Sequence, residues 1–148
     1  MSTEPTVDMS ASSSSPHLPI GPLIAAIGGV LLIVSLCLDW YDRITGFTVF
    51  ETLDLVLLAL ALVAIAGLLA AVGVLRWSPP SEVLVGAAVL ALVIVASQLL
   101  NDPPAVAGAG GPSKSTGIWV ALGASALMVA GSVLGYARIS LAVEPRDR

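Results

Sequence analysis

The chain reads LVLLALALVAIAGLLAAVGVL at residues 55–75, between Asp54 and Arg76. This stretch carries no charge, and its length matches the roughly 20 apolar residues that a helix needs to cross a bilayer. Residues 9–38, 83–101 and 115–137 are also free of Asp, Glu, Lys and Arg. The pattern predicts four membrane-spanning helices in one short chain.

The composition excludes several classes of protein. Of the 148 residues, 57% are hydrophobic and only 11% are charged, whereas soluble domains are about 25% charged. The net charge of −4 and the absence of a basic stripe argue against binding to nucleic acid. Because Cys37 is the only cysteine, the chain can form no internal disulfide and has no CxxC motif. We interpret Cys37 as a small apolar residue of a helix.

We expect an all-α membrane protein that folds as an antiparallel bundle of four transmembrane helices. The predicted order is a disordered cytoplasmic tail rich in Ser, Thr and Pro, a four-helix transmembrane domain and a charged cytoplasmic tail, at residues 1–17, 18–138 and 139–148. The four spans are predicted at about residues 18–38, 52–75, 81–100 and 117–137. Residues 48–51, TVFE, fit a capping box that would begin the second helix.

The aromatic residues all fall at the ends of the predicted spans. A soluble helical bundle would instead place several of them in mid-helix, where they bury most area. The pattern is typical of the aromatic belt at a membrane–water interface. The predicted interface anchors are Trp40, Tyr41, Trp77, Trp119 and Tyr136.

The positive charges favour an orientation with both termini in the cytoplasm. On that topology the cytoplasmic side holds four arginines near the span ends, and the outer side holds Arg43 and Lys114. Positive residues are enriched on the cytoplasmic side of membrane proteins. The four cytoplasmic arginines are Arg76, Arg138, Arg146 and Arg148.

Asp54 is the ionisable residue predicted to lie nearest the hydrocarbon. Glu51 precedes it by three residues, so the two acids share one helix face and could pair with Arg43. One interpretation is structural, because acids in a first turn are favoured by the helix dipole and Asp54 can lie at the membrane boundary. The other is an ion or ligand site, since ionisable groups inside a membrane usually serve a function.

Polar residues gather at the predicted outer end of the spans. They predict either a shallow outward-facing pocket bordered by Trp40 and Trp119, or simple interhelical hydrogen bonds by Ser97 and Gln98. The residues concerned are Ser35, Cys37, Asp54, Ser97, Gln98 and Thr116.

Small residues recur at four-residue spacing and predict close helix packing. The first span carries Gly21, Ala25 and Gly29, and the fourth carries Gly131 and Gly135. Packing within the chain is the simpler interpretation, and dimerisation through Gly131 and Gly135 is the alternative.

The sequence shows no set of side chains that is typical of a catalytic site. We therefore expect no enzyme, no cofactor and no metal site. His17, the only histidine, lies in the predicted tail, and the loop at residues 108–116 lacks phosphate-loop spacing. Small four-span multidrug exporters carry an essential Glu in their first span, whereas the first span here has no acid.

Short motifs resemble small, generally uncharacterised four-span membrane proteins of high-GC Gram-positive bacteria. They are residues 38–41 (LDWY), 45–47 (TGF), Phe50-Glu51-x-x-Asp54 and residues 117–120 (GIWV). The resemblance covers residues 18–138 and implies a multi-pass plasma-membrane location without a known activity.

We therefore expect a non-enzymatic integral membrane protein, in the role of an accessory or scaffold subunit of an envelope complex. Its expected partners are the lipid bilayer and either another membrane protein or a second copy of the chain. The alternative is a small transporter or ion-conducting protein that uses Asp54.

Overall fold

The computed structural model describes residues 19–41, 44–45, 52–101 and 114–142, with only the backbone at 44 and 138–142. Within these ranges the chain forms four α-helices and one two-stranded antiparallel ribbon. In chain order these are α1 (Ile20–Leu36), β1 (Asp39–Tyr41), β2 (Ile44–Thr45), α2 (Leu53–Ala71), α3 (Ser81–Leu100) and α4 (Thr116–Ala142). The prediction of a helical chain is confirmed.

Three of the described helices are long and apolar enough to cross a membrane, namely α2, α3 and the Thr116–Ala137 part of α4. Helix α1 is equally apolar but has 17 residues. At 1.5 Å per residue it spans about 26 Å, which is less than the roughly 30 Å of a hydrocarbon core. The structure is therefore compatible with a membrane protein that has three such spans, one fewer than expected.

Four helix ends differ from the expected bounds. Helix α2 stops at Ala71 rather than near residue 75, because Gly73 adopts a left-handed φ of 79° that ends the helix. Helix α4 continues to Ala142, past the expected end at 137. Helix α1 is shorter than residues 18–38 at both ends, since Pro19 precedes its first turn and Cys37 closes its last.

The start of α2 also differs from the expected capping box. Thr52 occupies the N-terminal capping position, and its side chain makes no capping hydrogen bond. Residues 48–51 lie outside the described part of the chain. The first helical turn instead begins with Leu53 and Asp54.

Neighbouring helices run antiparallel. Helix α1 packs chiefly against α4 and α2, and α3 packs against α4 and α2. The start of α1 meets the later part of α4, where Gly21 lies against Gly131 and Gly135. Late in α2, Gly67 lies against Leu84 near the start of α3. The beginning of α1 and the later part of α4 thus lie at one end of the bundle, and Asp54 lies at the other.

Close backbone contact holds α1 against α4. A methyl group on Gly21 would lie 2.5 Å from the backbone N of Gly135, and one on Gly28 would lie 2.7 Å from the carbonyl of Ala124. Gly131 meets the backbone of Ala25 in the same way. The small residues predicted for packing are thus brought together within one chain, and Gly29 contacts α2 at the Ala61 carbonyl.

Candidate functional site at the Asp54 end

Asp54 lies in the first turn of α2 and is only 1% exposed. It occupies the same helix face as Leu57, Ala61 and Ala64, which are all buried against the neighbouring helices. The helix period therefore turns its carboxyl group into the bundle. The sequence left open whether Asp54 lies exposed at the membrane boundary, and the structure covers its side chain with protein.

The register of the helices shows which residues lie level with Asp54. Because Gly29 meets Ala61, moving the same distance along the antiparallel pair brings Asp54 to the last turn of α1, which contains Leu36. The contact between Gly67 and Leu84 likewise places Asp54 near the end of α3. The carboxyl group therefore lies close to the end of the bundle that carries the ribbon.

Neither carboxyl oxygen of Asp54 accepts a hydrogen bond from any residue that the structure describes, and both are shielded from solvent. Burying an ionised carboxylate without a hydrogen bond or a counterion is strongly unfavourable. The dipole of α2 stabilises a negative charge in its first turn by only about 0.3–1 kcal/mol. The ionised carboxylate would therefore be a high-energy group here, and the uncharged acid avoids most of that cost.

The β1 strand closes this end of the bundle with two fully buried aromatic side chains, Trp40 and Tyr41, which we call the aromatic cap. The indole N–H of Trp40 donates to the carbonyl of Ser35 at 2.8 Å, and the Tyr41 hydroxyl donates to the carbonyl of Gln98 at 2.7 Å. The backbone N–H of Ser115 donates to the Trp40 carbonyl at 2.9 Å. The cap is thus attached to α1, α3 and the segment before α4.

Two of the five predicted interface anchors take a different position from the one expected. Trp40 and Tyr41 are fully buried, because the ribbon turns them toward carbonyls at the helix ends. Both residues combine an apolar ring with one polar group, so a helix end inside the protein suits them as well as an interface does. Trp77, Trp119 and Tyr136 are 66%, 55% and 46% exposed.

Of the other residues predicted to accompany Asp54, the structure describes Gln98 but not Arg43 or Glu51. Gln98 is half-buried near the end of α3, and its main-chain carbonyl holds the cap. Arg43 and Glu51 lie outside the described residues, so the expected pairing of Glu51 and Asp54 with Arg43 stays a prediction. Among the described residues, no group of three His, Cys, Asp or Glu side chains could hold a metal ion.

Lys114 is a contributor to this end that the sequence did not assign to the site. Its ammonium group donates to the carbonyl of Leu99 at the end of α3, and its backbone pairs with Tyr41. The only sequence signal was its position just before the fourth apolar stretch. That position is also typical of a lysine that merely marks a membrane boundary.

A cavity of about 280 Å³ lies at the opposite end of the bundle. Its lining is almost entirely apolar and includes Pro19, Gly21, Gly67, Leu84 and Tyr136. This is not the outward-facing polar pocket suggested by the sequence, which would have been bordered by Trp40 and Trp119. The burial of Trp40 removes that border.

The site therefore consists of one buried carboxyl group at the end of the bundle that carries the aromatic cap. Such a group can bind a proton or a cation. No family model matches this chain, and no curated protein or solved structure shows significant similarity to it.

Proposed function

We propose that this chain is a four-span integral protein of a bacterial plasma membrane and acts as a non-enzymatic accessory or scaffold subunit. The observation that carries the proposal is the apolar outer surface of the helices. Leu55 and Leu62 on α2 and Val93 on α3 are 62%, 52% and 58% exposed. Apolar patches of this extent are unfavourable in water, whereas lipid is a suitable solvent for them.

The contacts of α1 support a fourth crossing despite its short helix. Gly21 lies beside Gly135, and Asp39 and Trp40 lie beside Gly117. The segment from Gly21 to Trp40 therefore runs along most of the apolar part of α4. Because that part of α4 is long enough to cross a membrane, the segment beside it reaches nearly the same depth.

The orientation with cytoplasmic termini is supported by the shared position of the chain ends in the bundle. The start of α1 and the later part of α4 lie together, and the turn that contains Arg76 is at the same end. Arg138, Arg146 and Arg148 follow in the sequence. The positive-inside rule then assigns this end to the cytoplasm and the aromatic cap to the outside.

A strip of small, exposed residues on α4 supports association with another membrane helix. Gly123, Ala126 and Ala130 recur on one side of α4 and are all exposed. A methyl group on Gly123 would meet nothing within 4 Å. Small residues on a lipid-facing surface allow a second helix to approach closely, which is the main route by which membrane helices associate.

Co-purification tests the accessory role. The tagged chain is cross-linked in the membrane, extracted in mild detergent and compared with Gly123→Leu and Gly86→Leu variants. Gly86 is a matched control because it is exposed on α3 and also has open space around it. We expect a stoichiometric membrane-protein partner that Gly123→Leu loses and Gly86→Leu keeps. Recovery of the chain as an isolated monomer in all three cases would contradict the accessory role.

A second candidate, transport or ion conduction through Asp54, is favoured by its buried carboxyl group, which accepts no hydrogen bond within the described part of the chain. Liposomes that contain the wild type, Asp54→Asn or Glu82→Gln would be assayed for proton and cation flux. Glu82 is a matched acid, since it lies in the first turn of α3 but is exposed. Flux that Asp54→Asn abolishes and Glu82→Gln preserves supports this candidate, and the absence of wild-type flux contradicts it.

A further inference from the structure

We propose that Asp54 is a proton-binding site closed by the aromatic cap, and that loss of the proton opens the cap to water. The inference rests on the proposed membrane location and deepens the second candidate function, because it names the proton as the ligand. It does not require transport. A site that exchanges a proton with one side of the membrane is sufficient.

The surroundings of Asp54 favour a proton over a metal cation. Leu36, Leu57 and Ile118, at the same end of the bundle, are fully buried, and their side chains carry no oxygen ligand. The hydroxyl of Ser35 donates to the Leu32 carbonyl at 2.6 Å. Calcium and magnesium ions require about six or more oxygen ligands. A proton requires only one carboxyl oxygen, which Asp54 itself supplies.

No charged group from the packed elements, as far as the structure describes them, offsets the carboxylate. Helix α1 contains no ionisable side chain, and Glu82, the one acid of α3, lies at the far end. From the ribbon side, Asp39 is exposed and the Tyr41 hydroxyl is bonded to Gln98. Lys114 donates to Leu99. Asp42, Arg43, Glu51 and Asp102 lie outside the described residues.

The cap couples the proton to a structural change. In the closed state the carboxyl group is shielded from solvent, and the uncharged acid is the form compatible with that burial. An ionised carboxylate needs water or a cation around it. Since the cap is held over this end by hydrogen bonds from Trp40 and Tyr41, opening it is the direct way to admit water.

The fluorescence of Trp40 can report the state of the cap. A Trp77→Phe/Trp119→Phe parent retains Trp40 as the only tryptophan, and both replaced residues are exposed. In sealed vesicles, quenching of Trp40 by added iodide is measured from acid to alkaline pH. We expect weak quenching at low pH, when Asp54 is protonated and the cap is closed. Quenching should rise severalfold as the pH increases.

Three variants in this parent distinguish the proposal from a general effect of pH. Asp54→Asn should keep Trp40 shielded at every pH, whereas Glu82→Gln should behave like the parent. Tyr41→Phe should increase quenching at low pH while circular dichroism shows the same helix content. A transition in Asp54→Asn equal to that of the parent would overturn the proposal, as would quenching in the parent that does not change with pH.

Infrared difference spectroscopy provides a direct readout of the proton. At acid pH the parent should show the carbonyl band of a protonated carboxylic acid that Asp54→Asn lacks and Glu82→Gln retains. The absence of an Asp54-dependent band would overturn the proton site. If the band is present but liposomes show no proton flux, transport is excluded and the proton site stands, while the quenching of Trp40 tests the cap. If carbonate washing releases the protein from the membrane, the proposed membrane location is wrong, whatever the infrared and quenching results for Asp54.

Discussion

Asp54 is the residue on which the chemical interpretation of this protein depends. The sequence predicted its position in a first helical turn, where acids are common, and could not decide between a structural and a functional role. That decision requires knowing whether neighbouring helices cover the side chain. The structure shows that they do, because the face of α2 that carries Asp54 also carries Leu57 and Ala61.

Replacement of Asp54 by an apolar residue should stabilise the bundle. We expect Asp54→Leu to raise the free energy of unfolding by about 1–3 kcal/mol, because it removes a buried polar group to which no described residue donates a hydrogen bond. The measurement is thermal unfolding in one detergent, with Glu82→Leu as the control at an exposed acid. A clear loss of stability in Asp54→Leu would mean that the carboxyl group has a stabilising partner.

The aromatic cap shows a limit of sequence analysis at the scale of single elements. Trp40 and Tyr41 follow directly after an apolar stretch, which is where interface anchors also occur. Whether such rings face lipid or the protein depends on the path of the following chain. The short β1–β2 ribbon sets that path, and strands of three and two residues leave no periodic signal in the sequence.

Loss of the hydrogen bond between the cap and α3 should have a modest cost. We expect Tyr41→Phe to lower the free energy of unfolding by about 1 kcal/mol, since it removes one donor to the Gln98 carbonyl and keeps the ring. Trp77→Phe, at an exposed position, is the control and should change little. Equal stability of the wild type and Tyr41→Phe would show that this bond does not hold the cap.

The contact between α1 and α4 was predicted in part. Four-residue spacing identified Gly21, Ala25 and Gly131 as packing positions. It could not identify the helix that each one meets, because every span contains small residues and the partner depends on the register. The structure pairs Gly131 with the backbone of Ala25, where a side chain has no room.

A methyl group at this contact should therefore destabilise the bundle. We expect Gly131→Ala to lower the free energy of unfolding by about 1–3 kcal/mol, as overpacking usually does. Gly123→Ala on the same helix has open space and should be neutral or stabilising by up to about 1 kcal/mol. Unfolding in detergent measures both, and equal effects would contradict the close contact.

At the scale of the whole molecule, the charge-free stretches predicted a helical protein suited to a membrane, and the apolar helices of the structure agree with that prediction. The number of spans depends on the length of each helix, and the charge-free stretch at residues 9–38 does not show where its helix begins. Pro19 and the turn at Cys37 shorten α1 to 17 residues. Orientation depends on a difference of only a few positive charges.

The single cysteine provides a test of orientation. Cys37 is exposed and lies at the cap end of the bundle. In intact cells, a membrane-impermeant thiol reagent should label it. A Cys37→Ser/Arg76→Cys variant places the thiol in the turn between α2 and α3 and should be labelled only after permeabilisation. The reverse pattern would show that the termini face outward.

The central claim is that this chain is embedded in lipid through its apolar helices. Membranes from cells that express it are washed with alkaline carbonate, which strips proteins held only by surface contacts, and are then sedimented. The account predicts that the protein stays in the membrane pellet and is released only by detergent. Recovery of folded protein in the detergent-free supernatant would contradict it.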